Sequence, residues 1–257
     1  MSARSEILAV FAKAPELGRV KTRLCPPFTA DEAVRFHRAL VEDTLENLGN
    51  LERPFLSRVL LLSRPLLQAT DLDVPRGWTV GIQGPGDLGE KLSGFFGSAF
   101  QQHAQRVVVL GCDSPTLPLQ VIDDVFERLE RADVTLGPAA DGGYYLIGAR
   151  VYLPEIFRGI SWGTGSVLRQ TRDALDRLGF RCDVLVPWYD VDRPDDLDRL
   201  REEIEYLRRA QPRLVPRRVA EALPEIEEEE LSPGSGLGRG SPVTSRSGAA
   251  PPPGASR

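Results

Sequence analysis

Short apolar runs alternate with longer amphipathic segments along most of this chain, and that alternation constrains its fold more than any other feature. Runs at 6–12, 57–63, 78–82, 106–111, 133–137, 144–148 and 182–187 are rich in Val, Leu and Ile and read as strands. Segments 29–49, 88–103, 118–131, 164–178 and 194–209 carry apolar residues at helical spacing; in the first, Leu40, Thr44, Leu45 and Leu48 share one face. Thr29 or Asp31 can start that helix, and Glu32 completes a capping box with Thr29. Continuously apolar strands separated by helices imply a sheet covered on both faces, an α/β fold with a mostly parallel sheet. Ligands of such sheets sit beyond the carboxyl ends of the strands, so the residues following each strand are the candidates for function.

The first strand opens into F-A-K-A-P-E-L-G-R-V-K-T-R-L, residues 11–24. Lys13, Arg19, Lys21 and Arg23 crowd a loop with Pro15 and Gly18. Cations and loop amides after a buried strand can hold a phosphate chain, although a basic loop can equally be a solvated turn. After strand 106–111 comes G-C-D-S-P-T-L-P, with Asp113 at the strand exit. Mg²⁺ prefers oxygen ligands and takes one or two carboxylates plus substrate phosphates, so Asp113 is a candidate metal ligand; the alternative is a helix cap near Leu117. After strand 182–187 comes W-Y-D-V-D-R-P-D-D-L. Asp190 and Asp192 point to one side of an extended segment. Asp195 and Asp196 fall in the first turn behind Pro194, where the helix dipole favours them. Between these lies G-P-A-A-D-G-G-Y-Y-L-I-G, where a hairpin through Asp141, Gly142 and Gly143 joins two strands, and at most one of Tyr144 and Tyr145 can face a pocket.

Other classes are disfavoured. Gly84 to Gly89 matches G-x-G-x-x-G, yet it follows the third strand and leaves the basic loop and the Asp190/Asp192 pair without a role. Residues 18–22 lack the spacing of a Walker A loop. A net charge of −5 gives no sign of nucleic-acid binding, and no apolar run approaches the ~20 residues of a bilayer span. Cys25, Cys112 and Cys182 have no zinc spacing and fit free thiols in a reducing cytoplasm; the N-terminus runs into the first strand with no signal peptide. His37 and His103 read as surface positions on helices, against a histidine-ligated metal. Residues 1–223 form one domain in this reading, and 224–257, acidic and then rich in Gly, Ser and Pro, form a disordered tail.

Six motifs in order carry a resemblance: the basic loop, G-D-L-G-E-K-L, G-C-D-S-P-T-L-P, G-P-A-A-D-G-G-Y-Y-L-I-G, I-S-W-G-T-G-S-V-L and D-V-D-R-P-D-D-L. Over residues 6–210 the chain resembles GT-A-type nucleotide-diphospho-sugar transferases, in particular the radical-SAM/selenodomain-associated or arsenosugar-biosynthesis-type glycosyltransferases. Lys91 stands where that family has arginine after G-D-L-G-E, which keeps the charge and loses the bidentate fork. The resemblance implies a three-layer α/β/α sandwich that binds an activated nucleotide and passes a group to a small acceptor. It implies phosphate and nucleotide contacts from Ala12, Lys13, Lys21, Arg23, Gly86 and Asp87. It places Mg²⁺ or Mn²⁺ on Asp113 and Asp192. Asp141 is implied as a base or acceptor-binding carboxylate, with Gly142, Gly143, Tyr144, Trp162 and Thr164 on the acceptor side. The basic K-x-R-L loop and the G-x-D-x-P aspartate also resemble 2-phospholactate and molybdopterin guanylyltransferases, so nucleotidyl transfer stands just behind glycosyl transfer, with a non-catalytic nucleotide-binding module as a third reading. Oligomeric state is not legible.

Overall fold

The computed structural model describes residues 5–68 and 71–224. The expected tail lies outside the described residues, except Pro224.

Seven strands form one sheet: β1 (Glu6–Ala12), β2 (Leu56–Leu62), β3 (Trp78–Ile82), β4 (Arg106–Leu110), β5 (Val134–Pro138), β6 (Tyr144–Ala149) and β7 (Cys182–Val184). Their order is β3-β2-β1-β4-β6-β5-β7. β6 alone runs against its neighbours, pairing antiparallel with both β4 and β5. All other pairings are parallel. The long helices are α1 (Ala30–Gly49), α2 (Leu88–Gln101), α3 (Leu119–Arg128), α4 (Val167–Leu178) and α5 (Pro194–Ala210), followed by the short α6 (Arg217–Ala222).

Alternation along β1 builds the layers. Leu8 and Val10 face one core with Val41, Leu45 and Leu48 of α1 and Val125 and Phe126 of α3. Ala9 faces the other with Leu92 and Phe96 of α2 and Leu175 of α4. The result is the expected three-layer sandwich with a mostly parallel sheet. A third cluster joins Phe36 and Leu40 of α1 to Leu197, Leu200 and Val219 of α5 and α6. Thr29 and Glu32 make the predicted capping box at α1. Several expected elements are shorter than the sequence implied: α3 stops at Arg128 and α4 starts only at Val167, and β7 and α2 shorten as well. β7 keeps only three residues: the Leu185 amide still donates to the Leu136 carbonyl at 2.9 Å, and the chain then diverges from β5 until the Ala139–Trp188 bridge. α2 ends at Gln101, and His103 lies beyond it in left-handed backbone at φ 65°. Among the described residues no helix is long and apolar enough to cross a membrane.

β2 and β3 extend the sheet on one side of β1, and β4 begins its extension on the other. The strand order therefore reverses between β1 and β4, and a crevice opens beyond their carboxyl ends.

Candidate functional site

The crevice is a cleft of about 420 Å³. Lys13 follows β1 directly, and the loop then returns through Lys21, whose backbone is left-handed at φ 47°. A lysine rarely adopts that conformation. Here the side chain is anchored: Nζ lies 2.6 Å from Asp113 Oδ1 and donates to the Val191 carbonyl at 2.5 Å. The Val191 amide in turn donates to the Asp113 carbonyl at 2.8 Å. The first strand's loop, the fourth strand's exit and the segment before α5 are thus tied at one lysine. Arg23 Nη1 pairs with Asp192 Oδ2 at 2.6 Å at the exposed rim. Ser114 Oγ donates to Asp190 Oδ1 at 2.8 Å.

Charge states follow from these contacts. Burial alone would lower the Lys21 pKa, but the Asp113 carboxylate beside it overrides that and raises it. Burial alone would raise Asp113, and Lys21 holds it below the ordinary aspartate value. Asp113 is therefore ionised at neutral pH, and nothing among the described residues bonds its second oxygen, Oδ2. Asp190 differs: burial first, then the nearby Asp113 and Asp141 carboxylates, push it up to about 6 against the Ser114 hydrogen bond.

Against the sequence expectation, His37 is not a surface residue. It is 4% exposed and lines the cleft. On α1 it shares the inward face with Ala33, Leu40 and Thr44, a spacing of three to four residues that could have revealed it. Its Nε2 lies 3.0 Å from the Lys13 carbonyl, which can only accept, so Nε2 carries the proton. Nδ1 is buried with no partner. Burial lowers its pKa and keeps the ring neutral. A ring nitrogen of His37, the Cys112 sulfur and an Asp113 oxygen lie within 4.8 Å of one another. All three cysteines are free, and Cys112 is buried.

Of the residues singled out by sequence, Ala12, Lys13, Lys21, Asp113, Tyr144, Tyr145 and Asp192 line the cleft together, so both tyrosines reach it where at most one was expected. Sequence reasoning missed Gln83 and Ser63 as well as His37 and Cys112. Gln83 Nε2 donates to the carbonyls of Ala12 and Leu61, fixing the ends of β1 and β2, and the Ser63 hydroxyl accepts from the Ala14 amide. Lys91, noted only as a departure from a motif, also lines the cleft.

The other candidates lie outside that lining. Asp87 caps α2 in a reciprocal box with Glu90, each side chain accepting from the other's amide at 2.9 Å, and Gly86 precedes it at φ 94°. Asp141 Oδ1 accepts from the Gly143 amide at 2.8 Å within the β5–β6 hairpin. Gly142 (φ 86°) lies against the backbone of Gly165, leaving no room for a side chain, and accepts from the Leu168 amide at 3.0 Å. Trp162 meets Tyr144 edge-on with ring centroids 6.3 Å apart. Thr164 Oγ1 donates to the Ser161 carbonyl in the turn before α4. Arg23 is spent on Asp192 at the rim.

This fold and sequence match a known structure along nearly its whole length. A crystal structure from Desulfovibrio desulfuricans G20, provisionally described as a nucleotide-diphospho-sugar transferase, is 30% identical, with a TM-score of 0.73 over 84% of this chain and 96% of that one. The chain belongs to the nucleotide-diphospho-sugar transferase superfamily. A family model for an uncharacterized protein conserved in bacteria (DUF2064) also matches residues 49–164 of this superfamily member. Two further structures share the fold alone. 4-Diphosphocytidyl-2C-methyl-D-erythritol synthase is 12% identical, with a TM-score of 0.52 over 79% of this chain and all of that one. Bifunctional IspDF from Campylobacter jejuni is 14% identical, with a TM-score of 0.52 over 76% of this chain and 53% of that one. No curated protein matches the chain.

The donor set of this transferase-superfamily cleft suits a divalent ion. Asp113 keeps Oδ2 free on the cleft, and Asp192 keeps Oδ1 free beside its Arg23 pair. Two carboxylates with one oxygen each to spare match the small protein share of Mg²⁺ coordination, the remainder coming from water and phosphate.

Proposed function

We propose that this protein is a metal-dependent transferase that moves a glycosyl group from a nucleotide-diphospho-sugar to a small acceptor. The observation that supports this most is the Lys21–Asp113 pair, 2.6 Å long, on the wall of a nucleotide-sized cleft at the strand-order reversal.

The nucleotide lies across the ends of β1 and β4, against Ala12. Lys13 and Lys91 bring positive charge to its phosphates. Lys21 keeps Asp113 ionised and oriented, so its role in phosphate binding is through that carboxylate as much as by direct contact. Asp113 and Asp192 would hold Mg²⁺ or Mn²⁺, which would supply charge neutralisation for the departing diphosphate. The acceptor approaches from the side of the β5–β6 hairpin, where Tyr144 lines the cleft and Asp141, Gly142, Gly143, Trp162 and Thr164 lie beyond that lining. An acceptor hydroxyl attacks the anomeric carbon, the bond from that carbon to the diphosphate breaks, and Asp141 receives the hydroxyl proton or orients the acceptor. Positioning and charge neutralisation carry the rate.

Mixing the protein with nucleotide sugars, Mg²⁺ and a panel of small acceptors tests this. Release of a nucleoside diphosphate is expected, and it is lost in Asp113→Ala. Release of pyrophosphate from a nucleoside triphosphate would replace this reading with nucleotidyl transfer. A thermal-shift panel of the same nucleotides precedes the assay, because a ligand that binds only the folded state raises the melting temperature. No shift with any of them would rule out a nucleotide site.

A further inference from the structure

The cleft wall holds donors that the transferase reading leaves without a task. A Mg²⁺ site needs only carboxylates and phosphate. Yet directly behind Asp113 lie a buried imidazole with an unpaired nitrogen and a buried thiol, and the three ligand atoms lie within 4.8 Å of one another. Metal bonds of about 2.0–2.3 Å bring the ligands of one ion to within about 4.6 Å of each other. The 4.8 Å bound lies just above that limit, so the three side chains would draw together on binding.

Three observations separate this cluster from a chance grouping. First, the His37 ring is already set as a metal-binding histidine is set. Its Nε2–H donates to the Lys13 carbonyl at 3.0 Å, the outer contact that fixes tautomer and ring orientation, and that leaves Nδ1 as a bare lone pair. Second, that lone pair is buried with no hydrogen-bond donor to meet it, a cost a folded protein rarely leaves unmet. Third, Cys112 Sγ lies 3.9 Å from Asp113 Oδ1, the oxygen that also takes Lys21, and Oδ2 has no partner among the described residues, so the carboxylate beside the thiol has an oxygen left for an ion.

The geometry points to a binding site for a borderline, thiophilic divalent ion such as Zn²⁺, held by His37, Cys112 and Asp113. One nitrogen, one sulfur and one oxygen form a donor set that suits Zn²⁺ and disfavours Mg²⁺. Three protein ligands leave a fourth position, and Asp113 lies on the cleft, so that position is available to a phosphate oxygen of the nucleotide or to water. On binding, the metal–sulfur bond forms, the S–H bond breaks, and the proton leaves to solvent. The Lys21 ammonium next to Asp113 makes the site dependent on that thiolate, because a cation held there by Asp113 alone would meet the lysine's charge uncompensated. This inference rests on the cleft of the transferase reading, with which it shares Asp113, and it adds an ion of different chemical preference beside the Mg²⁺ or Mn²⁺ of that reading.

Cobalt(II), whose thiolate complexes absorb in the near ultraviolet, is the probe. The full chain, without a histidine tag, is titrated with Co²⁺ alone in the absence of nucleotide. A sulfur-to-cobalt band that saturates at one equivalent is expected, and one equivalent of Zn²⁺ should abolish it while millimolar Mg²⁺ leaves it. Cys112→Ser should remove the band, and His37→Gln should weaken Co²⁺ binding by about tenfold or more. Because a change at buried Cys112 could disturb folding, a Cys25→Ser/Cys182→Ser double variant provides the converse: it retains only Cys112 and should keep the whole band. Absence of the band in the parent, its survival in Cys112→Ser, its loss in the double variant, or its displacement by Mg²⁺ would each overturn the site. The outcome is distinguishable from that of the transferase reading. A band in a protein whose melting temperature no nucleotide shifts would uphold the site and defeat the transferase; the reverse pattern would do the opposite.

Discussion

The two ends of the central sheet both carry clusters of charge, and they use it in opposite ways. At the amino edge, Glu6 opens β1 opposite Arg106, which opens β4. Glu6 is 2% exposed, and its carboxylate takes Arg106 at 2.7 Å and Arg53 at 2.8 Å. Arg53 continues to Asp123 and Glu127 on α3 and lies over the Phe126 ring, while Arg106 reaches Glu130 and the Phe126 carbonyl. That network closes on itself. At the carboxyl edge, Lys21 and Asp113 pair just as tightly, but around them remain an empty carboxylate oxygen, an imidazole nitrogen without a partner and a carboxyl, Asp190, with a pKa of about 6. Buried charges that satisfy one another hold strands in register. Buried charges with valences left over are arranged for something that arrives from outside.

The largest test of that contrast is a pair of substitutions. Asp113→Ala should lower transfer by about a thousandfold or more, since it removes charge stabilisation of the departing diphosphate, and leave a folded protein by circular dichroism. Glu6→Ala should do the reverse: a stability loss of about 3–5 kcal/mol in urea unfolding, because two arginines are left buried without their acid, with activity per folded molecule unchanged. If Glu6→Ala costs under about 1 kcal/mol, the amino-edge network is ornamental and the comparison fails.

Asp190→Asn gives a smaller and pH-dependent effect. The carboxyl's folded pKa, about 6, lies above its unfolded value, so the folded state binds the extra proton between about pH 4 and 6 and loses stability as pH rises through that window. In metal-free protein the amide should therefore be more stable than the parent at pH 7.5 by about 1–2 kcal/mol, an upper range for a shift of this size in a partly solvated group. That advantage should vanish near pH 4. A parent whose stability is flat over this range would place Asp190 among the satisfied charges instead. The smallest effect belongs to Arg23→Ala. The Arg23–Asp192 pair is exposed at 64% and 43%, so unfolding stability should change by less than about 1 kcal/mol. The melting-temperature rise produced by a nucleotide should shrink with it, because Asp192 loses the cation that orients it.

Much of this was legible in the chain because local and global signals agree. The run Ile7 to Ala12 has one sensible reading, and β1 covers it. The reversed β6 was harder: Tyr144 to Gly148 is as apolar as any parallel strand, and only the hairpin at Asp141-Gly142-Gly143 marks its direction. At the site, sequence led to the residues that follow strands, and Lys13, Lys21, Asp113 and Asp192 do line the cleft. His37 was misplaced because it comes from the flank of a helix, where a polar residue reads as solvated unless its apolar neighbours are weighed. Asp87 was given a ligand although D-x-x-E is itself a helix-start pattern, and the aspartate caps α2. α6 went unread because six residues carry too little periodicity; what holds it is Val219, whose amide meets Asp43 at 2.9 Å.

The double engagement of Lys21 has a consequence for how the protein is made. Its ammonium is satisfied by Asp113 and by the carbonyl of Val191, residues 92 and 170 positions later in the chain. A ribosome delivers the sheet's first four strands long before it delivers Val191. Until then the lysine has at best half of its partners and the cleft lacks a wall. Nascent chains arrested short of that residue should fail to capture a nucleotide, however well their early strands have paired, and competence should arrive in one step once the segment before α5 has emerged.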